Sequence, residues 1–255
     1  MAGMDSAART DLIVARIREA GEVNVVELAE LTGHSEMTIR RDLDQLAAHG
    51  VLRRIRGGAV SLVPRGQEPP YALRERQSAG AKKRIAAAVG ELIRPGHAVA
   101  IDGGTTAAEV ARVLAGRPIT AMPLSLQAAH VLSADRETKV LLAGGELRPG
   151  ELTLHGPLTE ASLQAVRFDV TVLGSCGLTV TDGITAYDLG DAAVKRAAMR
   201  SAQRTVVAAD ATKLGQVAMG HVAPVTAIDT LVTDTDAPEQ IVAEIRAAGV
   251  TVIRA

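Results

Sequence analysis

Aromatic residues are nearly missing from this sequence, which has no tryptophan and only Tyr71, Phe168 and Tyr187. Proteins that stack on nucleic-acid bases or sugar rings use aromatic side chains, so neither kind of platform is expected. Recognition must therefore depend on hydrogen bonds and charge. Cysteine is represented by Cys176 alone, which excludes an internal disulfide.

Long apolar runs are missing as well, and no segment reaches the roughly 20 residues that a membrane-spanning helix requires. The N-terminal sequence, MAGMDSAART, lacks the cationic start and the apolar stretch of a signal peptide. With 28 basic and 29 acidic residues, the net charge is −1. These features predict a cytoplasmic protein without a membrane partner.

The 255 residues suffice for two domains.

The most informative stretch covers residues 25–60, VVELAELTGHSEMTIRRDLDQLAAHGVLRRIRGGAV, which has the pattern of a winged helix-turn-helix. Gly33 supplies the backbone freedom of a tight turn, and Ser35 is placed to cap the helix that follows. Helical periodicity predicts three helices, over residues 10–20, 26–31 and 36–49. The predicted buried stripe of the third helix is Ile39, Leu43 and Leu46.

The exposed N-terminal turn of the third helix can reach base edges in the major groove of DNA. An arginine-rich hairpin, closed near Gly57 and Gly58, would meet phosphates or the minor groove. Because residues 1–63 are not basic overall, the DNA footprint is expected to be a local patch. Alternatively, Arg40-Arg41-Asp42 is a solvated helix face with local ion pairs. The predicted DNA contacts are Ser35, Glu36, Thr38, Arg40, Arg41, Arg53, Arg54 and Arg56.

This N-terminal region resembles the signature of the DeoR family of bacterial transcriptional regulators. The most specific matching residues are Thr38-Ile39-Arg40-Arg41-Asp42-Leu43, followed by Gly50, Arg54 and Gly57-Gly58-Ala59. The resemblance implies that double-stranded operator DNA is a partner of the chain.

Prolines and polar residues predict a linker over residues 61–75, between a DNA-binding domain of residues 1–60 and a larger domain of residues 76–255. Strands and helices then alternate. The predicted strands are residues 98–102, 119–124, 139–143, 169–174, 205–209, 231–233 and 250–253, and the predicted helices are residues 85–93, 106–114, 126–132, 188–203 and 238–248. This alternation predicts an α/β fold in which the winged helix-turn-helix precedes an open, mostly parallel sheet.

Ligands of such sheets bind beyond the carboxyl ends of the strands. In the segment Asp102-Gly103-Gly104-Thr105-Thr106, the backbone can approach a ligand and the start of the helix favours an anion such as phosphate. The alternative is a tight strand-to-helix turn with threonine caps. Gly144 and Gly145 could expose further amide groups. Lys213 beside Asp210 is placed to pair with a phosphate, and Lys195 is a weaker candidate because isolated helix lysines usually face solvent.

These loops occur in the order of the DeoR sensor half, so the resemblance runs from about residue 7 to the C-terminus. It implies a repressor whose sensor domain is similar to sugar-phosphate isomerases and binds a phosphorylated sugar. It also implies that the effector site is lined by Asp102, Gly104, Thr105, Thr106, Lys195, Asp210 and Lys213. The chain departs from the family at Met122-Pro123-Leu124-Ser125, where the family commonly has Thr-Asn-Ser.

Two other functions stay open. The first is a sugar-phosphate isomerase or deaminase with an appended DNA module, which could recruit Asp169, Asp182, Asp188 and Lys195, although no Glu or His completes an acid–base set. The second is a constitutive DNA binder whose α/β domain only oligomerises. The prediction is a non-enzymatic regulator without cofactor or metal, which binds paired or repeated half-sites as a homo-oligomer.

Overall fold

The computed structural model describes residues 5–48, 51–62 and 67–255. The chain forms two compact units, Met1–Ala79 and Gly80–Ala255. Within the described ranges, none of the helices combines the length and apolar character needed to cross a membrane.

The first unit contains four helices and a small sheet among its described residues. Its elements are α1 (Ser6–Ala20), β1 (Glu22–Asn24), α2 (Val25–Thr32), α3 (Glu36–Ala48), β2 (Leu52–Ile55), β3 (Gly58–Ser61) and α4 (Tyr71–Arg76). Asn24 caps α2 by accepting a hydrogen bond from the Val26 N–H at 2.8 Å. Gly33 ends α2 in a left-handed conformation, with φ at 69°, and Ser35 Oγ accepts from the Thr38 N–H at 3.3 Å.

The three strands form an antiparallel sheet in the order β1-β3-β2. The hairpin of β2 and β3, here called the wing, confirms the predicted winged helix-turn-helix. β1 was not predicted because three residues are too few to show a periodicity. The predicted stripe of Ile39, Leu43 and Leu46 is buried with residues of α1 and α2. The predicted end of the third helix, at His49 and Gly50, lies outside the described residues.

A short helix, α4, covers the last five residues of the segment that was predicted to be a linker and one residue beyond it. Leu73 packs into the core of the first unit, and Arg74 Nε donates to the Pro69 carbonyl at 2.9 Å. Arg74 also forms an ion pair with Glu68 at 3.1 Å. A helix this short depends on such tertiary contacts, which a local sequence pattern does not reveal. Residues 63–66 of the predicted linker are outside the described residues.

The second unit is built around a sheet of seven parallel strands in the order β15-β14-β12-β9-β4-β5-β6. Its elements are α5 (Ala79–Leu92), β4 (Ala98–Ile101), α6 (Gly104–Leu114), β5 (Thr120–Pro123), α7 (Leu126–Leu132), β6 (Lys139–Val140), β7 (Glu146–Arg148), β8 (Thr153–His155), α8 (Pro157–Gln164), β9 (Phe168–Leu173), β10 (Gly177–Thr179), β11 (Gly183–Ala186), α9 (Leu189–Arg200), β12 (Ala202–Ala208), β13 (Gly220–Ala223), β14 (Thr230–Thr233), α10 (Glu239–Ala247) and β15 (Thr251–Arg254). Single 3₁₀ turns are formed by Ala211–Lys213 and Val225–Ala227.

Both faces of this sheet are covered. Ala100 of β4 packs in a core with α8, α9 and α10, whereas its neighbours Val99 and Ile101 pack in a second core with α5, α6 and α7. Side chains alternate between the faces of a strand, so each central strand contributes to both cores. The predicted α/β fold with an open parallel sheet is therefore confirmed.

Several predicted bounds differ from the structure. The helix predicted over residues 188–203 ends at Arg200, and Ala202 already pairs with Phe168 in the sheet. Pairing with β9 outweighs the local helical pattern there. The strand predicted over residues 139–143 is reduced to Lys139–Val140. The antiparallel pairs β7–β8 and β10–β11–β13 were not predicted, because their strands are short and lie between the repeating units.

Candidate DNA interface and effector site

The outer face of α3 is set by the side chains that the helix buries. Ile39, Asp42, Leu43 and Leu46 face the core of the first unit. With about 3.6 residues per turn, the opposite side of the helix carries Met37, Arg41 and Asp44, which we call the outer face. All three residues are exposed. Of the predicted DNA contacts, Thr38 and Arg54 are half-buried and the others are exposed.

Internal partners divide the predicted DNA contacts into two groups. Glu36 and Arg40 form an ion pair at 2.9 Å across one turn of α3. Arg54 is held by Asp44 at 2.8 Å and by the Gly58 carbonyl at 2.7 Å, so it braces the wing against α3. In contrast, no hydrogen bond or ion pair within the described residues engages the guanidinium groups of Arg41, Arg53 and Arg56. Among the predicted DNA contacts, these three arginines are the ones whose charges remain available to a ligand.

A buried ion pair attaches α3 to α1. Arg9 Nε donates to Asp42 Oδ2 at 2.6 Å, and Arg9 Nη2 donates to Asp42 Oδ1 at 3.3 Å. The hydrogen bond to Asp42 raises the pKa of the Arg9 guanidinium above its ordinary value. The solvated helix face that was the alternative interpretation of Arg40-Arg41-Asp42 is therefore wrong for Asp42, and no role was predicted for Arg9. The available signal was the position of Asp42, three residues after the buried Ile39.

At the carboxyl edge of the large sheet, three neighbouring strands end side by side. β4, β9 and β12 lead into Asp102, Gly174 and Asp210. Asp102 is 1% exposed, and its Oδ2 accepts a hydrogen bond from the Gly174 N–H at 2.8 Å. The same oxygen contacts the ammonium group of Lys195, which reaches it from α9. The structure thus brings two predicted effector-site residues into direct contact.

Lys195 is buried, contrary to the expectation that a helix lysine faces solvent. Its ammonium also lies 3.5 Å from Asp191 Oδ2, one turn earlier on α9. Burial by itself lowers the pKa of Lys195, but the charges of Asp102 and Asp191 outweigh it and raise the pKa above its ordinary value. The ammonium of Lys195 therefore stays positively charged in its buried position at the carboxyl edge of the sheet.

Lys213 differs from Lys195 in both exposure and partners. Asp210 is buried and forms the cap of the 3₁₀ turn that contains Lys213, accepting from the Thr212 N–H at 3.1 Å. Lys213 itself is half-buried, and no partner for its ammonium occurs in the part of the chain that the structure describes. Of the two predicted lysines, it is the one whose charge is available to a ligand.

The predicted glycine turn after β4 is closely packed. Gly104 has φ at 85°, and Gly103 has φ at −86°, a value that any residue adopts. A Cβ on Gly103 would nevertheless lie 2.2 Å from Thr153 Cγ2. The β7–β8 hairpin therefore lies directly against this turn. Thr105 is buried in the first turn of α6, and Thr106 is half-buried.

The second glycine pair, Gly144 and Gly145, packs against α8. Ser162 Oγ accepts from the Gly144 N–H at 3.3 Å, and Thr159 Oγ1 donates to the Gly144 carbonyl at 2.7 Å. Gly145 has φ at 133°, and a Cβ there would lie 2.0 Å from Thr159 Oγ1. The N–H and the carbonyl of Gly144 thus form hydrogen bonds with side chains of α8.

The carboxylates proposed for an enzyme are separated and locally bonded. Asp169 lies at the amino end of β9, opposite the Asp102 edge, and accepts from the Ala98 N–H at 2.7 Å. Asp182 Oδ2 accepts from Thr179 Oγ1 at 3.1 Å in the β10–β11 turn, and Asp188 caps α9. Across residues 5–48, 51–62 and 67–255, no three His, Cys, Asp or Glu side chains gather as metal ligands.

Comparison with known proteins matches both units to one family. Residues 9–65 match the DeoR-like helix-turn-helix domain, and residues 77–235 match the DeoR C-terminal sensor domain. The HTH-type transcriptional regulator GlpR of Haloferax volcanii is 34% identical over 97% of this chain and 97% of its own length. The glycerol-3-phosphate regulon repressor of Escherichia coli K12 is 30% identical, over 92% and 93%.

A third relative, the HTH-type transcriptional regulator UlaR of Shigella flexneri, is 29% identical over 98% of this chain and 100% of its own length. These matches span the helix-turn-helix, the glycine turn after β4 and the Lys195 helix together. The sequence similarity therefore extends over both units of the chain. The chain belongs to the DeoR family of transcriptional regulators.

Proposed function

We propose that this chain represses an operon of sugar or carbohydrate metabolism and that a phosphorylated sugar relieves the repression. The outer face of α3 enters the major groove, and the wing arginines contact the DNA backbone. The observation that carries this proposal is that Arg41, Arg53 and Arg56 have no internal partner among the described residues. An unpaired guanidinium group can displace the counterions of a phosphate. It can also donate two hydrogen bonds to the major-groove edge of a guanine.

The effector site is proposed at the carboxyl edge of the large sheet. Lys213 supplies an available positive charge. The turn at Gly103 and Gly104 leads into α6, and the first amide groups of this helix favour an anion. Asp102, Thr105, Thr106, Lys195 and Asp210 line the same edge. A relative is named for a glycerol-3-phosphate regulon, which supports a phosphorylated effector for this chain as well.

A regulator without catalytic activity is the simplest account of this edge. General bases and nucleophilic lysines act in their neutral form near pH 7. Lys195 has a raised pKa and two carboxylate partners, so its ammonium stays protonated. The relatives are named as regulators, which agrees with this assignment.

We propose that residues 1–60 bind DNA, that residues 61–75 connect the two parts and that residues 76–255 form the sensor. We infer a homo-oligomer in the cytoplasm, because one helix-turn-helix covers a single half-site and repressors of this type bind paired half-sites. Effector binding relieves repression only by favouring the DNA-incompetent state, typically with a coupling of about 1–3 kcal/mol.

The test is a thermal-shift screen of the full chain with sugar phosphates and their unphosphorylated parents, followed by DNA-binding titrations with each compound that shifts the melting temperature. Binding to the native state alone raises that temperature by mass action. We expect a rise with one phosphorylated sugar and a matching loss of DNA affinity. A rise with the unphosphorylated parent alone, or turnover of ribose 5-phosphate by the purified chain, would overturn the proposal.

A further inference from the structure

An exposed methionine lies on the DNA-reading side of α3. Met37 is 68% exposed and is the second residue of the helix. It lies nearly opposite the buried Ile39 and Leu43, on the same side as Arg41. Since residues four apart on a helix are neighbours, Met37 and Arg41 form one continuous stretch of the outer face.

The other side chains at this end of α3 already have partners. Ser35 and Thr38 share a hydrogen bond at 3.0 Å between their hydroxyl oxygens, and Glu36 is paired with Arg40. Met37 is not among the residues that form the core of its own unit. A large apolar side chain in this place therefore faces whatever the helix contacts.

The major groove offers one apolar group to such a side chain, the C5 methyl of thymine. Methionine is unbranched and polarisable, so it can adapt to a methyl group at the groove floor. Phosphates and the polar edges of guanine, adenine and cytosine provide no comparable contact. We propose that Met37 is a specificity residue that reads a thymine methyl in the operator.

The position of this thymine relative to the Arg41 contact follows from helix geometry. One helical turn advances about 5.4 Å, and neighbouring base pairs are about 3.4 Å apart. The thymine therefore lies within about two base pairs of the base that Arg41 contacts. This inference rests on the proposed DNA-binding function, and its test keeps the two separable.

The first step is selection of binding sites from a random duplex library by the full chain. Each thymine of the selected site is then replaced, one at a time, by deoxyuridine, which removes the methyl and keeps the pairing. For the unsubstituted protein, we expect one replacement to weaken binding about fourfold, the factor for burying one methyl group. For Met37→Ala, the same replacement should leave the affinity unchanged.

Two variants control the experiment. Met37→Leu keeps an apolar side chain and should retain discrimination between thymine and uracil. Met219→Ala removes a methionine that is 70% exposed in the second unit and should behave like the unsubstituted protein. Melting temperatures of all three variants verify that they are folded, as expected for exposed positions.

The outcomes distinguish the two claims. If the unsubstituted protein selects no sequence, the DNA-binding function itself fails. If it selects a site but no uracil replacement weakens binding, or if Met37→Ala still discriminates at the same position, the function stands and the assignment of Met37 is overturned. Loss of discrimination in Met37→Ala alone supports the assignment.

Discussion

The ammonium of Lys195 and the backbone N–H of Gly174 both donate to Asp102 Oδ2, so one buried carboxylate oxygen joins α9 to the ends of β4 and β9. The contact fixes a helix at the edge where an effector is proposed to bind. It also makes the site sensitive to the loss of a single charge, because a buried carboxylate without its cation is poorly solvated.

Lys195→Met should lower the free energy of unfolding by about 3–5 kcal/mol, because it leaves the Asp102 carboxylate buried and unpaired by Lys195. Urea denaturation measures the change. The double variant Lys195→Met/Asp102→Asn removes the orphaned charge while keeping an acceptor for Gly174. It should be more stable than Lys195→Met alone, and a double variant that loses the sum of both single effects would contradict this role.

The pH dependence of the stability that Lys195 contributes follows from the direction in which its pKa is shifted. The pKa of Lys195 is raised above its ordinary value of 10.5, so its stabilising effect is fully present below that value and is lost as pH rises through the folded-state pKa. The double variant Lys195→Met/Asp102→Asn carries no unpaired carboxylate at this position, so its stability difference from the unsubstituted protein should be constant from pH 7 to 9. Measurable narrowing within this range would show that Lys195 titrates there.

Gly103→Ala should destabilise the second unit by about 1–3 kcal/mol, the usual effect of overpacking. Its φ suits any residue, so the reason is the 2.2 Å approach of Thr153 Cγ2 alone. Thr153→Ser removes that methyl group, and Gly103→Ala/Thr153→Ser should recover most of the lost melting temperature. Failure to recover it would mean that the hairpin does not lie against the turn as described.

Lys213→Ala should abolish the thermal shift caused by the phosphorylated effector while leaving the melting temperature of the free protein unchanged, since its ammonium has no partner among the described residues. Lys139→Ala removes an exposed lysine of β6 and is the matched control. If both variants respond to the effector equally, phosphate binding has been assigned to the wrong lysine.

Arg41→Ala should weaken DNA binding at least about fivefold while effector-induced stabilisation persists. A gel-shift titration measures the affinity, and the thermal shift reports on the sensor. Arg136→Ala, which removes an exposed arginine of the second unit, is the control for net charge. Equal DNA affinity of Arg41→Ala and Arg136→Ala would show that α3 is not the recognition helix.

Local patterns were sufficient for much of the fold. The stripe of Ile39, Leu43 and Leu46, the Gly33 turn and the Ser35 cap predicted α3, because each depends on neighbours within a few residues. The central strands were predicted for a similar reason: buried parallel strands read as continuous apolar runs. The short strands and α4 lack such a signal, since pairing and packing partners far along the chain stabilise them.

The sequence by itself determined the order of the two units, the family and the positions of the polar loops. Tertiary structure decided which charges are available. Arg9 meets Asp42 across 33 positions, and Lys195 meets Asp102 across 93, so burial commits these groups to one another. Arg41 and Lys213 have no such internal partner in the described parts of the chain. The sequence states which residues are charged. The solvation and pairing of each charged group depend on its neighbours in three dimensions, which only the folded chain supplies.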